Sequence, residues 1–281
     1  MGLQTSYRYG IYLSLERMTI TKIHHSRNKK KTETTHYVLN HGHYAEGLIQ
    51  AFEHDQKPNR VSCHICISSD FINQHVVTLN HVLPAKAIHR YFQLACDGLF
   101  QHPSTALYYD YLPIQDKSEQ SQYLVIACKQ AVIQQQLMQY LTDRCCVKSL
   151  QVDWLLGFHL AHHIPSHPSY SVLYFDEDQI TVYRHQKNSM GFYDMISTQE
   201  NSRLDQSDLL EVLNQCIPEE PLYCFGPHQQ QHIMDLVPLQ STALHEACTE
   251  LFDGVKRCSI KNHDEFIATL TALTPMSNYD Y

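Results

Sequence analysis

The sequence predicts a mixed α/β protein of two domains related by internal duplication, and three observations carry that expectation. The chain has 281 residues, more than one ordinary domain uses and enough for two real cores. Each half opens with the pattern of a three-stranded meander followed by a helix. Between the halves, Ile164–Ser169 (IPSHPS) places two prolines and two serines between patterned regions, as a linker does. The expected domains are therefore 1–164 and 170–281.

In the first half, Ile11, Leu13 and Leu15 alternate with their neighbours, and Met18, Ile20 and Lys22 begin a second alternation, so Tyr9–His25 reads as two antiparallel strands. Tyr37–Leu39 supplies a third strand. Tyr44–Gln56 carries Ala45, Leu48, Ile49 and Phe52 at helical spacing before Pro58 stops it. Arg60–Ser69 and Asn73–Leu79 read as strands, and Pro84 opens an amphipathic helix through Ile88, Tyr91, Phe92, Leu94 and Ala95. Two more strands, Tyr108–Ile114 and Tyr123–Cys128, are separated by a polar loop, Gln115–Gln122. A helix over Gln130–Asp143, a strand over Val147–Val152 and a helix over Trp154–His163 complete the half. The stretch from about 60 to 143 forms a strand-rich insertion subdomain.

The second half repeats the opening. Tyr170–Phe175 and Gln179–Arg184 form a hairpin around Asp176, Glu177 and Asp178, and Gly191–Ile196 adds a third strand. Asp205–Cys216 reads as a helix, Leu222–Phe225 as a buried strand leading through Gly226 into a helix over His228–Leu236, and Asp264–Leu273 as a final helix.

Composition excludes several classes. Apolar residues make up 43% and charged residues 18%, with a net charge of -8, which argues against disorder and against nucleic-acid binding. The basic run Arg27–Lys31 lies between strand patterns and reads as a solvated hairpin tip. No apolar stretch reaches about 18 residues, and the first residues lack the order of a signal peptide, so the expectation is a soluble cytoplasmic protein. Ten cysteines scattered without a secretory signal fit free thiols in a reducing compartment.

Several stretches resemble one known family. GIYLSLERMTI (Gly10–Ile20) occupies the place of the opening GIDIGSSSVK-type motif of PilM, the type IV pilus assembly protein, and its competence and DNA-uptake relatives. YDYLPI (Tyr109–Ile114), with Asp110, resembles the family's aspartate-containing strand. YLVIACKQAVIQQQLMQYL resembles the family's next strand and helix, and VKSLQVDWLLGFHLA, with Asp153 between strand and helix, resembles the segment leading to its second half. The resemblance covers roughly Tyr9–Val237, and the insertion favours the PilM and FtsA branch over sugar kinases. It implies an actin-like fold, that is, a duplicated ribonuclease H-like fold of two domains.

Actin-like ATPases clamp phosphates with glycine-rich hairpin turns, since only a residue without Cβ lets backbone N–H groups come that close. Here the first turn holds Tyr12 where the family has aspartate and Ser14 where it has glycine, followed by Leu15, Glu16 and Arg17. The second turn offers Tyr174 for the aspartate and Asp176 for the glycine, with acids after it. A carboxylate facing a phosphate without an intervening metal is repelled by roughly 1 kcal/mol or more. The adenosine-side motif is reduced to CFGPH, around Gly226. The expected site is thus vestigial, comprising Ser14, Arg17, Asp176 and Gly226, with no cofactor and no catalytic residue; the alternative is ATP with magnesium, in a working ATPase switch.

Metal chemistry is the remaining alternative, as a zinc-dependent hydrolase. Cys63 and Cys66 are spaced C-x-x-C, and His159, His162 and His163 fall near one helical face. Residues three apart on a strand point to opposite sides, and the histidine helix has no acid to act as base. Adjacent Cys145 and Cys146 read as a helix-to-strand turn.

By the resemblance, the protein is a scaffold beneath the inner membrane that grips the short cytoplasmic N-terminal peptide of a PilN-like membrane partner and links it to the pilus assembly ATPase complex, without nucleic acid and without inserting itself. A secretion-platform relative would continue into a transmembrane helix. An apolar groove for the peptide is expected between helix Lys86–Phe100 and strand Arg60–Ser69.

Overall fold

The computed structural model describes residues 6–26, 31–40, 44–52, 61–117, 120–135, 145–162, 169–176, 179–186, 189–197, 220–227, 241–244 and 262–273. The chain forms two compact units that interleave in sequence. One comprises Met1–Asp70, Gln134–Leu160 and His245–Tyr281, and the other Phe71–Ile133 and Ala161–Leu244. The expected helices over Asp205–Cys216 and His228–Leu236, the basic tip at 27–30 and most of the linker lie outside the described residues.

The first unit is built on a five-stranded sheet. β1 (Ser6–Leu13), β2 (Arg17–Ser26) and β3 (Lys31–Asn40) form an antiparallel meander, β4 (Val61–Ile67) adds parallel to β1, and β8 (Cys145–Val152) parallel to β4, giving the order β3-β2-β1-β4-β8. Successive residues Tyr9–Leu13 are all buried, because helices cover both faces and the strand has no solvent side. α1 (Tyr44–Phe52) buries Tyr44, Leu48 and Phe52, and the Phe52 ring meets Tyr9 edge-on at 4.9 Å. Ile49, expected inward, is 41% exposed, since it lies off the stripe set by those three. On the opposite face lies the C-terminal helix, here α5 (His263–Leu273), packed on β1, β2 and β4. A Cβ on Gly10 would collide with the Ala268 carbonyl oxygen and stand 2.5 Å from the Ala272 nitrogen. Glycine in the strand and alanines in the helix are what let the two backbones meet.

The second unit repeats that sheet. β9 (Tyr170–Phe175), β10 (Gln179–Gln186) and β11 (Ser189–Ser197) form the meander, and β12 (Leu222–Phe225) and β13 (Ser241–Ala243) follow in parallel, in the order β11-β10-β9-β12-β13. Order and polarity match the first sheet strand for strand, the internal duplication expected from the sequence. A separate antiparallel sheet, β5-β7-β6, consists of β5 (Ile72–Leu79), β7 (Gln120–Lys129) and β6 (Leu107–Lys117). α2 (Ala85–Phe100) covers one of its faces through Ile88, Phe92, Cys96 and Phe100, an i, i+4, i+8, i+12 stripe. Beyond the sheet come short α3 (Gln130–Ile133) and, in the first unit's strand-to-helix passage, α4 (Asp153–His162).

Four expectations need correction. The insertion does not begin at Arg60: β4 is an interior strand of the first sheet, paired on both sides, and only β5–β7 with α2 stand apart. Tyr91 and Leu94 face outward, because the stripe of α2 runs through Cys96 instead. The polar stretch 115–122 is mostly strand, β6 and β7 continuing as a hairpin to Lys117 and Gln120, and Cys145 and Cys146 already belong to β8. Among the described residues no helix is long and apolar enough to cross a membrane, and no three His, Cys, Asp or Glu side chains converge to hold a metal.

Candidate nucleotide site

The hairpin turn after β1 closes on itself. The Ser14 N–H donates to the Arg17 carbonyl (2.9 Å), and the Arg17 N–H donates to Ser14 Oγ (3.2 Å). At the adjoining end of β4, the Ser68 N–H donates to the Leu13 carbonyl (2.8 Å), and the Ser68 hydroxyl donates to Asp70 (2.7 Å). Two backbone donors of the turn, those of Ser14 and Arg17, are thus engaged within it and do not point outward at a phosphate. The Arg17 guanidinium reaches Asp264 in the first turn of α5 at 3.2 Å. Burial pushes the Asp264 carboxyl up, Arg17 pulls it down, and Glu265 and Glu16 push it up further.

Below the turn, Tyr12 is 1% exposed and its phenol donates to Asp153 Oδ2 at 2.9 Å. Asp153, fully buried at the start of α4, also receives the Trp154 N–H on Oδ1 at 2.7 Å, and the helix N-terminus favours its charge. The Tyr12 ring stands edge-on to His263 at 5.8 Å. Burial holds the Tyr12 phenol well above its ordinary pKa, with the charges of Asp153, Cys66 and Asp264 adding to the effect. Cys66, buried beside Asp153, is likewise pushed far up by desolvation, so its thiol is inert at neutral pH. Cys63 turns away from it, its sulfur 3.9 Å from the Cys146 carbonyl.

The second unit holds the counterpart. Tyr174 pairs with Thr181 across the β9–β10 hairpin as Tyr12 pairs with Thr19 across β1–β2, and both tyrosines are buried. Tyr174 packs on Phe225 at 5.0 Å. Gly226 follows β12 with φ 136°, and a Cβ there would stand 2.7 Å from the Phe175 nitrogen. Asp176, half-buried directly after Phe175, thus lies beside Gly226.

The four residues singled out in the sequence accordingly form two pairs, Ser14 with Arg17 in one unit and Asp176 with Gly226 in the other. Asp110 is elsewhere, exposed on β6, and accepts the N–H of Tyr111. Sequence reasoning missed Asp264 and Ser68, and it named Tyr12 and Asp153 without joining them. Gly10, a lone glycine inside a strand pattern, was the signal that another backbone approaches there.

No family model and no curated protein sequence matches the chain. Among solved structures, the PilM-PilN type IV pilus biogenesis complex superposes with a TM-score of 0.61 at 12% identity, covering 94% of this chain and 97% of that one. The cytoplasmic domain of EpsL, an inner-membrane component of the type II secretion system of Vibrio cholerae, gives 0.47 at 13% identity over 91% of this chain and all of that one. A Bacteroides thetaiotaomicron protein with an actin-like ATPase fold gives 0.46 at 12% identity over 94% and 95%. The fold is the actin-like one, and in architecture the chain resembles PilM.

Proposed function

We propose that the protein is a cytoplasmic scaffold of a type IV pilus or DNA-uptake assembly at the inner membrane, which binds a short cytoplasmic peptide of a PilN-like partner and does not turn over nucleotide. The observation that carries the scaffold reading is the contact between Tyr12 and Asp153. A phenol occupies the position of a phosphate-site carboxylate and satisfies a buried acid that a metal would otherwise engage. Tyr174 takes the same position in the repeated hairpin, so the substitution occurs in both halves. The engaged amides of Ser14, Arg17 and Ser68 support the same reading. Likeness of fold to PilM supports the assembly role and the partner class. The pairs Ser14–Arg17 and Asp176–Gly226 are then the remnant of a nucleotide site.

Calorimetric titration with magnesium-ATP tests the first half of the proposal. Absence of heat in protein that melts cooperatively is the expected result, and micromolar binding overturns it in favour of an ATPase switch. Fluorescence anisotropy with labelled N-terminal peptides of PilN-like proteins tests the second half. Saturable binding is expected, and failure with every such peptide removes the partner assignment.

A further inference from the structure

The sheet β5-β7-β6 has two edges, and the sequence treats them differently. β6 carries Pro113, Asp110, Asp116 and Lys117, its register with β7 breaks between Pro113 and Gln115, and β11 of the same unit packs against it. These are the devices by which native sheets blunt an edge. Among the described residues, β5 shows none of them. Its eight residues, INQHVVTL, include no proline and no Asp, Glu, Lys or Arg, and neither does the chain from Phe71 to Leu83. Its register with β7 runs unbroken from Ile72 to Leu79, and among the described strands it pairs with β7 alone. Val76, near its middle, is 49% exposed.

From this contrast we infer that β5 is a dimerisation edge, on which the β5 strand of a second copy of this chain pairs antiparallel to make a continuous six-stranded sheet. Residues opposed across such a pair must share a face. A two-fold axis normal to the sheet therefore runs midway between one residue and its own copy, and placing it level with Val76 sets the half-exposed valine against its own copy and His75 against the copy's Val77. Cross-strand pairs of β-branched side chains are the kind that stabilise a sheet. The occupant is argued from charge. The chain carries a net -8, so two copies repel over much of their surface, whereas along β5 no ionised carboxylate, lysine or arginine meets its like. A foreign strand would gain nothing from steering by an edge without charge. The inference is independent of the proposed function, since it uses neither the nucleotide site nor the peptide partner.

Sedimentation velocity of the full chain over a wide concentration range, under reducing conditions, reads the association directly. A concentration-dependent dimer is expected for the unaltered chain. Val76→Lys, which sets two ammonium groups against each other at an exposed position, is expected to abolish it while the melting temperature of the monomer stays unchanged. Val76→Cys, oxidised mildly, is expected to give a covalent dimer that the unaltered chain does not form. A monomer at all concentrations, a dimer indifferent to Val76→Lys, or no cross-link through Cys at position 76 overturns the proposal; so does capture of a heterologous strand by a chain that stays monomeric.

Discussion

The Tyr12 phenol and the Asp153 carboxylate, 141 residues apart, meet at 2.9 Å with neither group reaching solvent. The bond ties the end of β1 to the first turn of α4, so it is structural. Tyr12→Phe keeps the ring and its packing on His263 but removes the donor from a buried charge. Such a loss costs about 1–3 kcal/mol. Urea denaturation at pH 7 is expected to show a lower midpoint with an unchanged slope, and a midpoint equal to that of the unaltered chain refutes the role. Magnesium-ATP is expected to remain unbound, since the ring still fills the position.

The same burial makes the fold sensitive to alkali. Tyr12 and Cys66 have folded pKa values well above their ordinary 10.0 and 9.0, and Cys128 is raised to about 11. A group whose folded pKa is raised contributes its full stabilisation below its unfolded pKa and loses it as pH climbs towards the folded value. Stability should therefore hold to about pH 9 and then fall, by about 1.4 kcal/mol per pH unit for each group that titrates only in the unfolded chain. Denaturant midpoints from pH 7 to 11, with reductant present, check this. Tyr12→Phe should fall less steeply above pH 10, and an identical slope would assign the loss to other groups.

Asp264 works at the other end of the scale. Its carboxyl is raised by burial and held down by Arg17, so the stabilisation it lends is complete below its unfolded pKa and declines as pH rises through the folded value. Arg17→Ala removes the opposing charge and deepens that decline. Because the guanidinium is 45% exposed, the cost at pH 7 should be no more than about 1 kcal/mol, and it should vanish near pH 3, where Asp264 is protonated. A penalty of equal size at both pH values would mean that Arg17 acts by packing alone.

Much of this architecture was legible because alternation is a local signal. The meanders, α1, α2 and the helix at Asp264–Leu273 follow from spacing that each segment carries in itself. What alternation does not carry is sheet membership. β4 and β5 lie next to each other in the chain and read alike, yet β4 inserts between β1 and β8 while β5 joins β7, a choice made by contacts far along the sequence. The site suffered in the same way. Tyr12, Ser14 and Arg17 were visible as departures from a phosphate-binding turn, but the side-chain partners of Tyr12 and Arg17 are Asp153 and Asp264, brought in by α4 and α5. Only Gly10 hinted at the second of these.

Two glycines make opposite predictions from one substitution. Gly226 holds φ 136°, a region that L side chains rarely adopt, and the added methyl would press on the backbone of Phe175. Neither strand end can yield easily, because Tyr174 and Phe225 are buried and packed on each other. Gly226→Ala should therefore destabilise by about 1–3 kcal/mol or more. Gly98 lies in the last turn of α2 with open space where a Cβ would go. Gly98→Ala should stabilise by about 0.4–1 kcal/mol, through helix propensity and a less free unfolded chain. Thermal melts of both variants beside the unaltered chain measure the two signs together. A stabilised Gly226→Ala would show that the end of β12 is not held against Phe175, and with it would go the placement of Asp176 beside Gly226.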